Sequence, residues 1–330
     1  MRALATKSLK RTAAVVAFLL VFNHLVVPQL GGARRAIDLL KDVNPALLVV
    51  ALGLEMGAFF AYTQLTRVTL PDDVPVNLFT LFRIQLSTKA VTNLVPGGSA
   101  AGGTLGFRLL TSAGVEPSHA GFSLATVGLG SAVILNLLLW LALLVSIPLR
   151  GFNPAYLTAA IVGLVLLGTF FGLVVLLMKG RDRAERVIRA VARKLPFVKE
   201  DAAARVVRQI ATRLQELASN KPLVMRSLGW AVANWALDAA SLWVFLRAFG
   251  GTVNPVDLLV AFGLANVLAA LPITPGGLGV VEAVLTSTLV GFGLDRGTAA
   301  IGVVTYRLAA FWLPIPLGAL AYGSLKVAPG

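Results

Sequence analysis

A chain of 330 residues that is 57% hydrophobic and 13% charged, with mean hydropathy +0.83, is too apolar for a water-soluble domain and reads as a polytopic α-helical membrane protein. Zero cysteines exclude disulfides, thiolate metal sites and cysteine nucleophiles, and the two histidines, His24 and His119, are too few and too separated for a metal centre. The formal charge of +14 lies beside apolar runs, where the positive-inside rule and anionic lipid favour it, so no nucleic-acid partner is expected.

Arg2, Lys7, Lys10 and Arg11 precede an apolar run from Thr12 to about Leu30. No clean small-residue cleavage signature follows, which predicts an uncleaved first span with a cytoplasmic N-terminus. After a polar loop, Gly31 to Asn44, a second span runs from Pro45 to Gln64 with Glu55 in its middle, and Arg67 to Pro75 is turn-rich. Val76 to Val95 and Ser99 to Leu110 then flank Pro96-Gly97-Gly98. Proline stops a helix by removing a donor and glycine lets the backbone reverse, so these two runs read as arms of a broken helix. Ala120 to Pro148 and Pro154 to Met178 are long apolar spans.

Lys179 to Pro222 is the only extended polar stretch, with 12 Lys/Arg against 5 Asp/Glu. Val206, Ile210, Leu214 and Leu217 recur in it at helical spacing. It reads either as amphipathic helices on anionic inner-leaflet lipid or as a solvated helical hairpin packed on the spans. Val224 to Phe249 is a further span carrying Asn234 and Asp238. Val256 to Leu271 and Leu278 to Phe292 flank a second Pro275-Gly276-Gly277, and Thr298 to Leu325, with Arg307 inside it, is the last span.

Arms of a dozen to fifteen residues fall short of the roughly 20 needed to cross a bilayer, so both Pro-Gly-Gly elements are expected to be re-entrant. The expected architecture is all-α: about six full transmembrane helices plus two re-entrant helical hairpins in an inverted repeat, as in many secondary transporters. Within a single membrane domain of residues 1–330, residues 1–44 are the first span and loop. Residues 45–148 form repeat one, 149–178 a linking span, 179–222 the basic segment and 223–330 repeat two. The segments this places in the cytoplasm, both termini among them, hold 18 Lys/Arg against 5 on the other side.

A broken helix leaves backbone N–H groups free at the start of its second arm, which suits an anion. Gly97, Gly98 and Ser99 would offer them; on the first arm Gln85, Lys89 and Asn93 recur every four residues as a polar stripe joined by Thr88 and Thr92, and Arg108 on the return arm faces the same tip. The alternative role of the glycine run is close helix packing. In the second element Thr274, Gly276 and Gly277 form the tip, and Glu282 either caps the next helix or lines a path, with Asn266 as its partner. Asn234, Asp238 and Ser241 share one helix face, whereas Glu55 and Arg307 stand isolated. Charges in hydrocarbon need a partner or a wet cavity. Glu55, Asp238, Arg83 and Arg307 are therefore read as coupling groups or counter-charges, or as structural ion pairs; Arg83 and Arg307 lean to structure. There is no paired-carboxylate motif, no Ser/His/Asp set and no phosphate loop ending in Lys-Ser/Thr, so no enzyme activity, cofactor or metal is expected.

Leu-Pro-Ile-Thr-Pro-Gly-Gly-Leu-Gly-Val-Val-Glu at Leu271–Glu282, with Asn93–Gly103, resembles the lysylphosphatidylglycerol synthase transmembrane, flippase-like family of bacterial and archaeal membrane proteins. The resemblance covers the chain from Pro45 onward. Since the chain stops just after its last span, the soluble synthase half found in some members is not expected. The resemblance implies a cytoplasmic membrane location and handling of a lipid or lipid carrier. With the intramembrane charges, it gives the expectation of a flippase for an anionic phospholipid or a polyprenyl-phosphate-linked lipid, working by alternating access. A small-ion or solute transporter and a non-catalytic accessory subunit of an envelope-biosynthesis enzyme are the alternatives, and homo-oligomerisation is left open.

Overall fold

Five helix starts are written into the sequence as capping side chains. Asn44, Asn77, Asn220, Asn254 and Asp295 each accept a backbone N–H of the first turn that follows, from Ala46, Thr80, Leu223, Val256 and Thr298. Pro45 and Pro222 stand at the first positions of their helices, where the missing donor costs nothing. The computed structural model describes residues 43–95, 98–150, 219–269 and 274–327, with isolated positions between 161 and 172. The expected first span, Gly97, the span before Met178 and nearly all of the basic 179–222 segment lie outside the described residues.

The regular elements among the described residues are helical. They are α1 (Pro45–Thr69), α2 (Leu78–Leu94), α3 (Gly98–Ser112), α4 (Pro117–Arg150), α5 (Lys221–Ala248), α6 (Pro255–Ala269), a 3-10 turn at Pro275–Gly277, α7 (Val280–Gly291), α8 (Arg296–Arg307), a π turn at Leu308–Trp312, and α9 (Pro314–Val327). Among the described residues, three stretches are long and apolar enough to cross a membrane: Pro45–Thr69, Pro117–Ser146 and Arg296–Leu325. α5 has 28 residues, ample length at about 1.5 Å per residue, but Arg226, Asp238 and Arg247 make it less apolar than those three.

α2 and α3 fold back on one another through a stripe of small residues. Gly98, Gly102 and Gly106 recur every four residues and are buried, and Thr92 lies against Gly102 while Thr88 lies against Gly106. Numbers rising on one arm as they fall on the other mark an antiparallel hairpin. A side chain at Gly102 would run into the Thr92 hydroxyl and the Thr88 carbonyl, so the closeness itself requires glycine. α6 and α7 form the second hairpin.

The halves exchange partners reciprocally. α1 packs along α5; the first hairpin packs through α2 on α9; the second packs through α6 on α4. The largest apolar cluster joins Leu139 and Leu143 of α4, Phe245 of α5, Phe262 of α6 and Leu285 and Leu289 of α7. A smaller one, built on Leu81, Ile84 and Leu110, serves the first hairpin.

Candidate functional site

The second Pro-Gly-Gly tip meets the end of α2 in the first hairpin. Gly276 and Gly277 adopt φ of 52° and 70°, a left-handed region open to glycine at little strain. A Cβ on Gly276 would enter the Phe311 ring and lie 3.4 Å from the Cα of Asn93 on the opposing hairpin. Asn93 fastens this junction by donating its side-chain amide to the Phe311 carbonyl at 2.8 Å. That carbonyl belongs to the π turn, in a stretch where Pro314 and Pro316 supply no N–H. Thr274 enters the tip with its hydroxyl buried and without a partner among the described residues.

Behind the second tip lies a buried ion pair. Arg307 donates Nε to Glu282 Oε1 at 2.7 Å and a terminal N–H to the Gly276 carbonyl at 3.2 Å, with its guanidinium 4.5 Å over the Phe311 ring. The other oxygen of Glu282 accepts the Gly279 N–H at 2.6 Å, the backbone half of a capping box. One carboxylate thus caps α7, holds the arginine and, through it, fixes the glycine turn. Both residues are buried.

In front of the tips, between the two halves, is a cavity of about 390 Å³. α1 contributes Glu55 and Tyr62, α2 contributes Gln85, Thr88, Lys89 and Thr92, and Asn234 and Asp238 come from α5. Asn266 of α6 and Tyr306 and Arg307 of α8 close the polar wall. Ser241 donates to the Ala51 carbonyl and Asn234 to the Ala58 carbonyl, an antiparallel register of α1 and α5 that sets Glu55 opposite Asp238, and Tyr306 donates its hydroxyl to Asp238 Oδ1 at 2.7 Å. Lys89 acts electrostatically on both acids. The rim is different in kind: Leu52, Met56 and Leu313 are apolar and exposed.

The family described as the lysylphosphatidylglycerol synthase TM region matches residues 11–318. The chain belongs to that family. Among relatives of the lysylphosphatidylglycerol synthase TM region, a UPF0104 membrane protein of Methanothermobacter thermautotrophicus is 21% identical over 299 residues, 88% of each chain. The inner membrane protein YbhN of Escherichia coli is 28% identical over 89 residues, 27% of each chain. Glycosyltransferase AglD of Haloferax volcanii is 32% identical over 85 residues, 24% of this chain and 14% of that protein. Named membrane relatives and apolar helices together make this a multi-pass membrane protein.

Within this family frame, the expected site residues fall into three groups. Lys89, Glu55, Asp238 and Arg307 converge on the cavity, where Glu55 and Arg307 are not the isolated charges the sequence suggests. Asn93, Gly98, Thr274, Gly276, Gly277 and Glu282 build the tips, and Glu282 sits behind Arg307, not on the cavity wall. Its expected partner Asn266 donates to the Phe262 carbonyl instead.

The third group stays outside. Ser99 and Arg108 are exposed and do not line the cavity. The glycine stripe turns the opposite face of α3 toward α2, and Arg108, two residues past Gly106, projects about 200° away from it. Arg83 stacks on Phe79 and donates to Ser324 and Thr80, a structural position. Tyr62 and Tyr306 are cavity residues that sequence reading passed over; the one signal for Tyr306 is a lone phenol beside Arg307 in an apolar run.

Proposed function

We propose that this chain carries a phosphate-bearing lipid between leaflets, the headgroup passing through the cavity while the acyl chains remain in hydrocarbon. The observation that carries this reading is the pairing of a charged interior with an exposed apolar rim at Leu52, Met56 and Leu313. A water-soluble solute gains nothing from such a rim, whereas an acyl chain sliding along it avoids hydration that would cost about 0.8 kcal/mol per CH₂. Lys89 is the phosphate contact. No described carboxylate lies within ion-pair range of it, while the cation of Arg307 is committed to Glu282.

The reciprocal packing of hairpins and partner helices supports an inverted repeat, in which the two halves exchange roles as the cavity opens to one side and then the other. On this reading the hairpins are re-entrant and no bond is made or broken. The family name refers to lysylphosphatidylglycerol, itself a phosphate-bearing lipid. The asymmetry of Lys/Arg supports a cytoplasmic membrane location with cytoplasmic termini and the basic 179–222 segment against anionic lipid.

The test is leaflet exchange of tail-labelled fluorescent phosphatidylglycerol in phosphatidylcholine vesicles holding the purified protein, read by dithionite quenching. Exchange above protein-free vesicles is expected, and Lys89→Ala should lower it by about tenfold or more, the worth of one lost charge-assisted hydrogen bond. Rates equal to protein-free vesicles would sink the proposal.

A further inference from the structure

Glu55 and Asp238 belong to opposite halves of the molecule, on α1 and α5; the Ser241 bond to the Ala51 carbonyl and the Asn234 bond to the Ala58 carbonyl set the two acids opposite one another on the cavity wall. Glu55 Oε2 is shielded from solvent and has no hydrogen-bond partner among the described residues. None of the neighbouring donors bonds it. Asn234 donates to the Ala58 carbonyl, Ser241 to the Ala51 carbonyl and Asn266 to the Phe262 carbonyl. Arg307 is held by Glu282, and Tyr306 gives its hydrogen to Asp238. Lys89 is the remaining cation facing the pair, and from α4 the cavity receives only Gly128, Ser131, Ala132 and Leu135.

Two bare carboxylates facing one another on a buried wall repel, and no neighbour bonds the Glu55 oxygen to offset that. A bridging metal would want more ligands, and no cluster of three or more His, Cys, Asp or Glu exists among the described residues. A proton is the ligand that fits.

Charge then sets the stoichiometry. Arg307 and Glu282 cancel; the pair with one shared proton carries one negative charge, which Lys89 balances. A phosphodiester arriving at Lys89 adds one negative charge to a site walled by apolar helices, where an unbalanced charge is costly. Neutrality returns when the pair takes a second proton. Resting on the reading of the cavity as a lipid path, we propose that the Glu55–Asp238 pair is a proton-binding site that couples lipid movement to the proton gradient. One proton travels with each phosphate charge, in the same direction, and both are released on the far side. The movement is electroneutral.

The same vesicles test this with a pH step across the membrane. At steady state a gradient of one unit should hold labelled phosphatidylglycerol at a leaflet ratio of about ten to one, richer on the alkaline side. A potassium diffusion potential should leave that ratio unchanged. Glu55→Gln and Asp238→Asn should each abolish the response to the gradient. Infrared difference spectra of the wild-type protein should show a protonated carboxyl band at neutral pH that Glu55→Gln or Asp238→Asn removes. Exchange that runs to equal leaflets under the gradient overturns the coupling and leaves the lipid reading standing. Absence of all exchange sinks the lipid reading, and the coupling with it. Absence of the carboxyl band overturns the proton site, whether or not lipid moves.

Discussion

The two hairpins share Pro-Gly-Gly and differ in everything that holds it. In the second, α6 buries nine of its fifteen residues and the tip is locked by a buried ion pair. In the first, α3 buries only Gly98, Gly102, Gly106 and Leu110, and its partner arm meets the other tip through one amide hydrogen bond from Asn93. One turn motif thus serves two purposes. The second hairpin is an anchor set in the main core, and the first, seated by α2 along α9 with little of α3 buried, presents Lys89 to the cavity.

That contrast can be broken by substitution. Glu282→Ala should have the largest effect on stability, about 3–5 kcal/mol, because it strands a buried arginine. Thermal unfolding in detergent reads it, and an unmoved Tm would remove the anchor. Gly276→Ala comes next, at about 1–3 kcal/mol for a left-handed backbone, with the Phe311 overlap added. Asn93→Ala should cost about 1–3 kcal/mol by orphaning the Phe311 carbonyl, and should leave the second hairpin's amide exchange protection unchanged. Arg108→Ala should shift stability by no more than about 0.5 kcal/mol and leave lipid exchange intact, in contrast to Lys89→Ala.

The smallest effect concerns Asp295, fully exposed beyond the last span. The Thr298 N–H, then those of Gly297 and Arg296 and the Thr298 hydroxyl, hold its carboxyl below the ordinary aspartate value. A lowered value means the cap stabilises α8 above the unfolded-state pKa and is lost as pH falls through the folded one. Wild type and Asp295→Ala should therefore converge in Tm toward acid.

Much of the fold was legible because its causes are local. The capping residues, the prolines at helix starts and the two Pro-Gly-Gly breaks mark the helix bounds to within a few residues. The site was legible only where one helix supplies it, as in the Gln85, Thr88, Lys89 and Thr92 wall. Polarity alone misassigned Arg108, since the facing of α3 is decided by where glycine permits contact, not by where charge recurs. Glu55 with Asp238, and Glu282 with Arg307, join different elements and depend on tertiary packing that no spacing reveals.

The last apolar stretch reads as one uninterrupted rod, yet the π turn at Leu308–Trp312 divides its allegiance. Upstream, α8 is bolted through Arg307 to the anchored side; downstream, α9 lies along α2. A rocking of the first hairpin with α9 against the second would bend this knuckle, which makes the final span less a pillar than a crank between frame and lever.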